Sequence, residues 1–202
     1  NKANTSVAEL ATLNATGRLS NDSGVLQAGQ FDWQISELSN IAGTIIQTGN
    51  QAFTLVTKGD INNKSGYIGG KAESLTINTQ GQLNNTQGSI VHSANVNTSA
   101  NSGATVIVDS LLNLQGKLIS NGKMTATVNK DFDSTEGAVQ AKSLQVAAGK
   151  LTNLNGQLVS QSGDLQLVAT DIINQGEKAY IQSGQNLTIG SKQLSNSDKA
   201  TV

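Results

Sequence analysis

Cysteine and proline are both absent from the 202 residues. Without cysteine there is no disulfide stapling, although secretion stays open. Charge is sparse and balanced, with 13 Lys and Arg against 14 Asp and Glu for a formal net charge of −1. No basic run supplies a phosphate-binding stripe, so no nucleic-acid partner is expected. No apolar stretch approaches the roughly 18 residues of a membrane-spanning helix. The one histidine, His92, has no second histidine or cysteine with which to complete a usual zinc site, so it reads as a structural or surface residue. Gly-x-Ser-x-Gly, P-loop and dinucleotide fingerprints are missing. The calcium-loading nonapeptide is missing too, because Gly69-Gly70-Lys71 lacks its third glycine and its aspartate. No cofactor and no catalytic activity are therefore expected. Neither a start methionine nor a signal peptide opens the chain, which reads as a piece cut from something longer.

What is present is a repeat. The pattern [Leu/Ile/Phe]-x-[Asn/Ser]-x-x-Gly-x-[Leu/Ile/Val] starts at Leu19, Leu38, Ile61, Leu83, Leu111, Phe132 and Leu151. A degenerate copy follows at Ile172-Asn174-Gly176, with the next apolar position delayed to Ile181, and a half copy closes the chain at Leu194-Ser195-Asn196. Glycines at 24, 43, 66, 88, 116, 137, 156 and 176 leave intervals of 19, 23, 22, 28, 21, 19 and 20 residues. Units of two helices need about thirty residues or more, whereas a coil of three short strands needs about twenty.

A second apolar pair, its members two residues apart, lies beyond most of these glycines: Trp33/Ile35, Phe53/Leu55, Leu75/Ile77, Leu144/Val146, Leu165/Leu167 and Leu187/Ile189. A spacing of two puts both side chains on one face of a strand. Between them stand Gln34, Thr54, Thr76, Gln145, Gln166 and Thr188, polar residues that suit an exposed strand face. No sustained period of 3.6 argues for helix. The fold expected is all-β: a right-handed parallel β-helix of about eight to nine coils of roughly 20 residues, spanning roughly 40 Å at about 4.8 Å per coil. Residues 19–196 would form the repeat domain, 1–18 a partial or capping coil and 197–202 a tail. Inward rows that no single coil can bury would be buried by the coils on either side.

The recurring polar residues then take structural roles. Asn21, Asn40, Asn63, Asn85, Asn113 and Asn153 form a column in which each side-chain amide can donate to the next, satisfying groups otherwise costly to bury. The plainer reading is a set of exposed turn asparagines. Ser134 interrupts the column, and the stack is expected to be weaker there. Gly24, Gly43, Gly66, Gly88, Gly116, Gly137 and Gly156 mark sites with positive φ or no room for a Cβ. Valine at Gly66 or Gly116 is therefore expected to do more damage than at Ser65 or Gln115.

The 28-residue interval places surplus chain at 97–104, a small polar stretch that reads as a projecting loop. Asn97, Thr98, Asn101 and Ser102 would give it either a binding role or that of a tolerated bulge. Asp131, Asp133 and Glu136 are the densest acids. A hard cation or a glycosidic bond is conceivable there, and a solvated corner is the favoured reading. Phe31, Trp33 and Ile35 are expected to point inward; with Trp33 outside, it would be a sugar or protein contact.

Leu151-Thr-Asn-Leu-Asn-Gly-Gln-Leu-Val-Ser160, Gly163-Asp-Leu-Gln-Leu-Val-Ala169, Gly184-Gln-Asn-Leu-Thr-Ile189, Leu83-Asn-Asn-Thr-Gln-Gly-Ser-Ile90 and Leu38-Ser-Asn-Ile-Ala-Gly-Thr-Ile45 resemble the repeats of the filamentous haemagglutinin family. The resemblance covers about residues 17 to 196. It implies a right-handed β-helical filament of a large exoprotein, secreted to the surface of a Gram-negative bacterium through an outer-membrane two-partner-secretion transporter. Such a segment would serve as an adhesin or as the stalk of a contact-dependent growth inhibition toxin. Its partners would be the coils on either side in the parent protein and a host or bacterial surface protein or glycan. The family's secretion domain carries Asn-Pro motifs, which a chain without proline cannot display. The alternative function is a polysaccharide-binding or polysaccharide-degrading β-helix, which converging carboxylates in a groove would favour and dispersed ones would not.

Overall fold

A computed structural model describes residues 4–94 and 102–202. The chain winds into a right-handed parallel β-solenoid of about nine turns. Every paired strand is parallel to its neighbour in the adjacent coil. A typical coil has three strands: Thr44–Gln47 after the turn, Phe53–Thr57 after a corner, and the short Ile61–Asn62 leading into the next turn. In later coils the second and third strands fuse, as in Lys123–Asp133, Ser143–Leu154 and Leu165–Gln175. At the amino-terminal end, Asn4–Ser20 runs as one strand against Val25–Ser39.

Four inward columns carry most of the core, one of them running from Phe53 through Leu75, Ala104, Met124, Leu144 and Leu165 to Leu187. Leu26, Ile45, Ile68, Ile90, Leu118, Val139, Leu158 and Ile181 lie in consecutive register after the turns. Leu55, Ile77, Val106, Ala126, Val146, Leu167 and Ile189 form another column. Leu19, Leu38, Ile61, Leu83, Leu111, Phe132, Leu151, Ile172 and Leu194 form the last. Interior members are fully buried, including Ile45, Ile68, Leu83 and Leu118 at 0% exposure. Each aliphatic is covered by the residue of the same column one coil away, and burial of that apolar surface is the main favourable term. The terminal members have cover on one side only, so Leu187 and Leu194 are 37% and 48% exposed.

Register survives the long interval. Thr76 pairs with Thr105, Leu83 with Leu111 and Ile90 with Leu118, so the surplus chain lies between His92 and Gly103 and leaves the stack unbroken. Asn97, Thr98 and Asn101 fall outside the described residues. The expected loop is too long at its far end: Gly103 and Ala104 belong to the strand Gly103–Val108, and Ala104 is a core residue at 4% exposure. Of the four loop residues, Ser102 is the one described, half-buried just before that strand.

The turns decide between the two readings for glycine, for the missing Cβ and against a positive φ. The left-handed residue is the one before the glycine, with φ of 56° at Ser23, 51° at Ala42, 54° at Ser65 and 55° at Gln115. The glycine amide closes the turn by donating to the Asn carbonyl three residues back, at 3.0 Å for Gly66 and 3.1 Å for Gly116. Its missing Cβ makes room for the neighbouring coil. A Cβ on Gly66 would lie 2.2 Å from the Asn40 carbonyl oxygen, and one on Gly116 would lie 2.2 Å from that of Asn85. Gly66→Val is expected to cost about 3 kcal/mol or more, because backbone of the adjacent coil cannot yield. Ser65→Gly should instead stabilise by up to about 1 kcal/mol, relief of left-handed strain being partly offset by chain entropy. Urea titrations of the two variants beside the parent check both signs.

Candidate functional site: the asparagine ladder, a buried histidine and an outer trough

The asparagine column is internal, which removes the exposed-turn reading: Asn40, Asn63, Asn85, Asn113, Asn153 and Asn174 are all 0% exposed. Asn40 shows why. Its Nδ2 donates to Asn63 Oδ1 at 2.7 Å in the next coil, and also to the Gly43 carbonyl at 3.2 Å and the Tyr67 carbonyl at 3.1 Å. The same amide-to-amide bond links Asn21 to Asn40 at 2.7 Å, Asn63 to Asn85 and Asn85 to Asn113 at 2.8 Å, and Asn153 to Asn174 and Asn174 to Asn196 at 2.7 Å. Asn174 and Asn196, from the two imperfect copies, thus continue the ladder.

Ser134 is its one interruption. Asn113 Nδ2 reaches Ser134 Oγ only at 3.3 Å, and Asn153 Oδ1 is buried without a hydrogen-bond partner. Serine is too short to pass the chain of amides onward. A buried acceptor left unsatisfied costs about 1–3 kcal/mol.

His92 is also internal, at 1% exposure. It shares a corner column with Ala28, Gln47, Gly70 and Ser120, in register from coil to coil. Its Nε2 lies 3.1 Å from the Ala72 carbonyl and 3.3 Å from that of Glu73, and its Nδ1 lies 3.0 Å from Ser120 Oγ. Nε2–H donates to the carbonyls, and neutral Nδ1 accepts from the serine. Gln47 occupies the equivalent position, donating from Nε2 to the Gln51 carbonyl at 2.6 Å. The role is structural: a polar side chain tying down the corner between the first and second strands. Burial pushes the His92 pKa below the ordinary histidine value, against the opposing pull of the Glu73 and Ala72 carbonyls.

The acids disperse. Asp133 Oδ1 accepts from Thr135 N and Oγ1 at 2.9 and 2.6 Å, Glu136 accepts from Gln115 Nε2 at 2.6 Å, and Asp131 pairs in register with Lys150. Among the described residues no group of three or more His, Asp or Glu side chains is placed to hold a metal ion. Trp33 is inward but half-buried at the first coils, stacked on Phe31 at 4.5 Å and on Phe53 at 6.2 Å between ring centroids. Its Nε1 is buried without a hydrogen-bond partner.

Two features were not singled out by motif. An outer ladder follows the left-handed turn residues, with Gln87 Nε2 donating to Gln115 Oε1 at 3.0 Å and Gln115 to Glu136 as above. The other is a trough on the outer face of the second strands. One cavity of 400 Å³ has Lys123, Gln145, Asp164, Gln166 and Gln185 on its walls, and another of 310 Å³ has Thr125, Thr127, Gln145, Ala147, Gln166 and Val168. They meet at the two glutamines. The alternation of polar and apolar residues shows that these side chains face out, and only register places them side by side. Compared with known proteins, the chain matches no family model, no curated protein and no solved structure.

Ser134→Asn is expected to raise stability by about 1–2 kcal/mol by completing the ladder, and Asn63→Ser to lower it by a similar amount; paired urea melts decide both. His92 supplies a pH test. Its folded pKa lies below its unfolded one, so its neutral-state contribution is complete above about pH 6.5 and is lost as pH falls through the folded value. The parent should therefore lose more stability than His92→Gln between about pH 7.5 and about pH 5. Equal losses would mean that the imidazole titrates alike in the folded and unfolded chain, as a freely solvated one does.

Proposed function

We infer that this chain is a shaft segment of a large secreted exoprotein of the filamentous haemagglutinin type, whose work is reach and stiffness and whose chemistry is not catalytic. The observation that carries the inference is unbroken register: the same columns run through about nine turns and across the one long insertion. A solenoid of this kind adds length with each repeat and needs no closed core. The repeated Asn-x-x-Gly turns support the family likeness, and the dispersed carboxylates fit a scaffold better than a polysaccharide-degrading groove. On this reading the parent protein leaves a Gram-negative cell through an outer-membrane two-partner-secretion transporter and winds outside it. The absence of cysteine suits that route, because no disulfide has to form or open on the way. The shaft then holds an adhesive or toxic domain away from the cell.

In-frame removal of residues 67–88 from the parent protein tests this. It deletes one coil and joins Gly66 to Ser89, which are already equivalent in register to Gly88 and Ser89 and to Gly66 and Tyr67. Secretion and attachment should persist, with the surface filament about 5 Å shorter per deleted coil by electron microscopy. Intracellular retention of the parent, or attachment abolished by loss of any single coil, would overturn the shaft reading.

A further inference from the structure

The outer face of the second strands carries two parallel rows that a shaft does not require. In the first row Thr125, Gln145, Gln166 and Thr188 follow one another from coil to coil, and in the second Thr127, Ala147, Val168 and Gly190 do so. The polar row is half-buried over Thr125, Gln145 and Gln166. The second row is open, with Val168 46% exposed. Gln145 Nε2 donates to Gln166 Oε1, which fixes both amide planes. Gln145 Oε1 and Gln166 Nε2 then have no partner among the described residues and remain as one acceptor and one donor for a ligand. At the edge of the trough stand one cation, Lys123, and one anion, Asp164. Asp164 Oδ1 is occupied by Asn186, which donates from its backbone N at 3.1 Å and from Nδ2 at 3.0 Å.

We propose that this trough binds a short stretch of uncharged oligosaccharide lying along the solenoid axis. A sugar ring has a hydroxyl edge and a C–H face, and the two rows offer amides and hydroxyls beside aliphatic carbon in the same arrangement. The rows repeat once per coil, about 4.8 Å, close to the length of one hexose unit in an extended chain, so successive sugars meet successive coils in equivalent ways. One charge of each sign at the rim selects against a strongly acidic or basic chain. A peptide strand has nothing to pair with, because the backbone groups of this face are already bonded to the coils above and below and β-augmentation needs a free sheet edge. This site is independent of the shaft reading: a rod can carry it or lack it.

The test uses the 202-residue chain against an array of neutral β- and α-linked hexose and N-acetylhexosamine oligosaccharides of two to six units, with sialylated and sulfated oligosaccharides included. Hits are titrated by calorimetry. Gln166→Ala and Val168→Asp alter exposed or half-exposed side chains, and Thr76→Ala on the same face away from the trough serves as control. Circular dichroism confirms that each variant folds. The expected result is binding of a neutral oligosaccharide that weakens at least tenfold in both trough variants and is unchanged in the control. Binding that ignores Gln166→Ala and Val168→Asp, preference for acidic glycans alone, or no binding of neutral oligosaccharide at millimolar concentration would each overturn the proposal. None of these outcomes changes the filament length on which the shaft reading is judged.

Discussion

Coil-to-coil register is the constraint on which everything else in this molecule depends. Parallel pairing at about 4.8 Å brings identical positions of successive repeats into contact. An isoleucine therefore needs only another aliphatic at the same place in the next coil, and an asparagine only another asparagine. Apolar burial and amide bonding both run along the axis. A one-residue slip would send Leu55 and Ile77 outward and Thr54 and Thr76 inward, and that alternative is excluded by the same rows that stabilise the correct one.

The Asn-x-x-Gly turn shows how local and long-range demands meet. Asparagine bends the chain, the third residue accepts a left-handed conformation, and glycine closes the turn with its amide. The spatial reason for glycine comes from outside its own repeat, because a side chain there would strike a carbonyl of the neighbouring coil. The ladder is likewise a property of the stack, since no asparagine in it is satisfied within its own coil alone. Where Ser134 replaces asparagine, the backbone turn persists, with Gly137 N donating to the Ser134 carbonyl at 3.0 Å, while the side-chain chain of amides stops.

The shaft reading and the trough make different demands on the fold. A shaft needs the inward columns and is indifferent to the residues outside, provided they are soluble. A ligand site needs the outside to be specific at a few neighbouring coils, which a solenoid supplies cheaply because any outward residue can vary without disturbing the core. Gln145, Gln166 and Val168 lie on the same outer face as Thr54 and Thr76, and only their identities distinguish the trough from the remainder of the rod.

Much of the architecture was legible in the chain alone. Spacing of two, the twenty-residue period and the Asn-x-x-Gly signature identify parallel coils, their number and the inward rows, because each follows from the geometry of a single strand or turn. Three things required neighbours in space. The left-handed conformation falls at Ser65 and its equivalents, since the adjacent coil decides which turn residue must lack a Cβ. The long insertion ends before Gly103, since Ala104 is claimed by the core through pairing with Leu75 and Met124. The amide pair of Gln145 and Gln166, and the trough it divides, exist only because residues 21 positions apart are brought side by side by the winding of the chain.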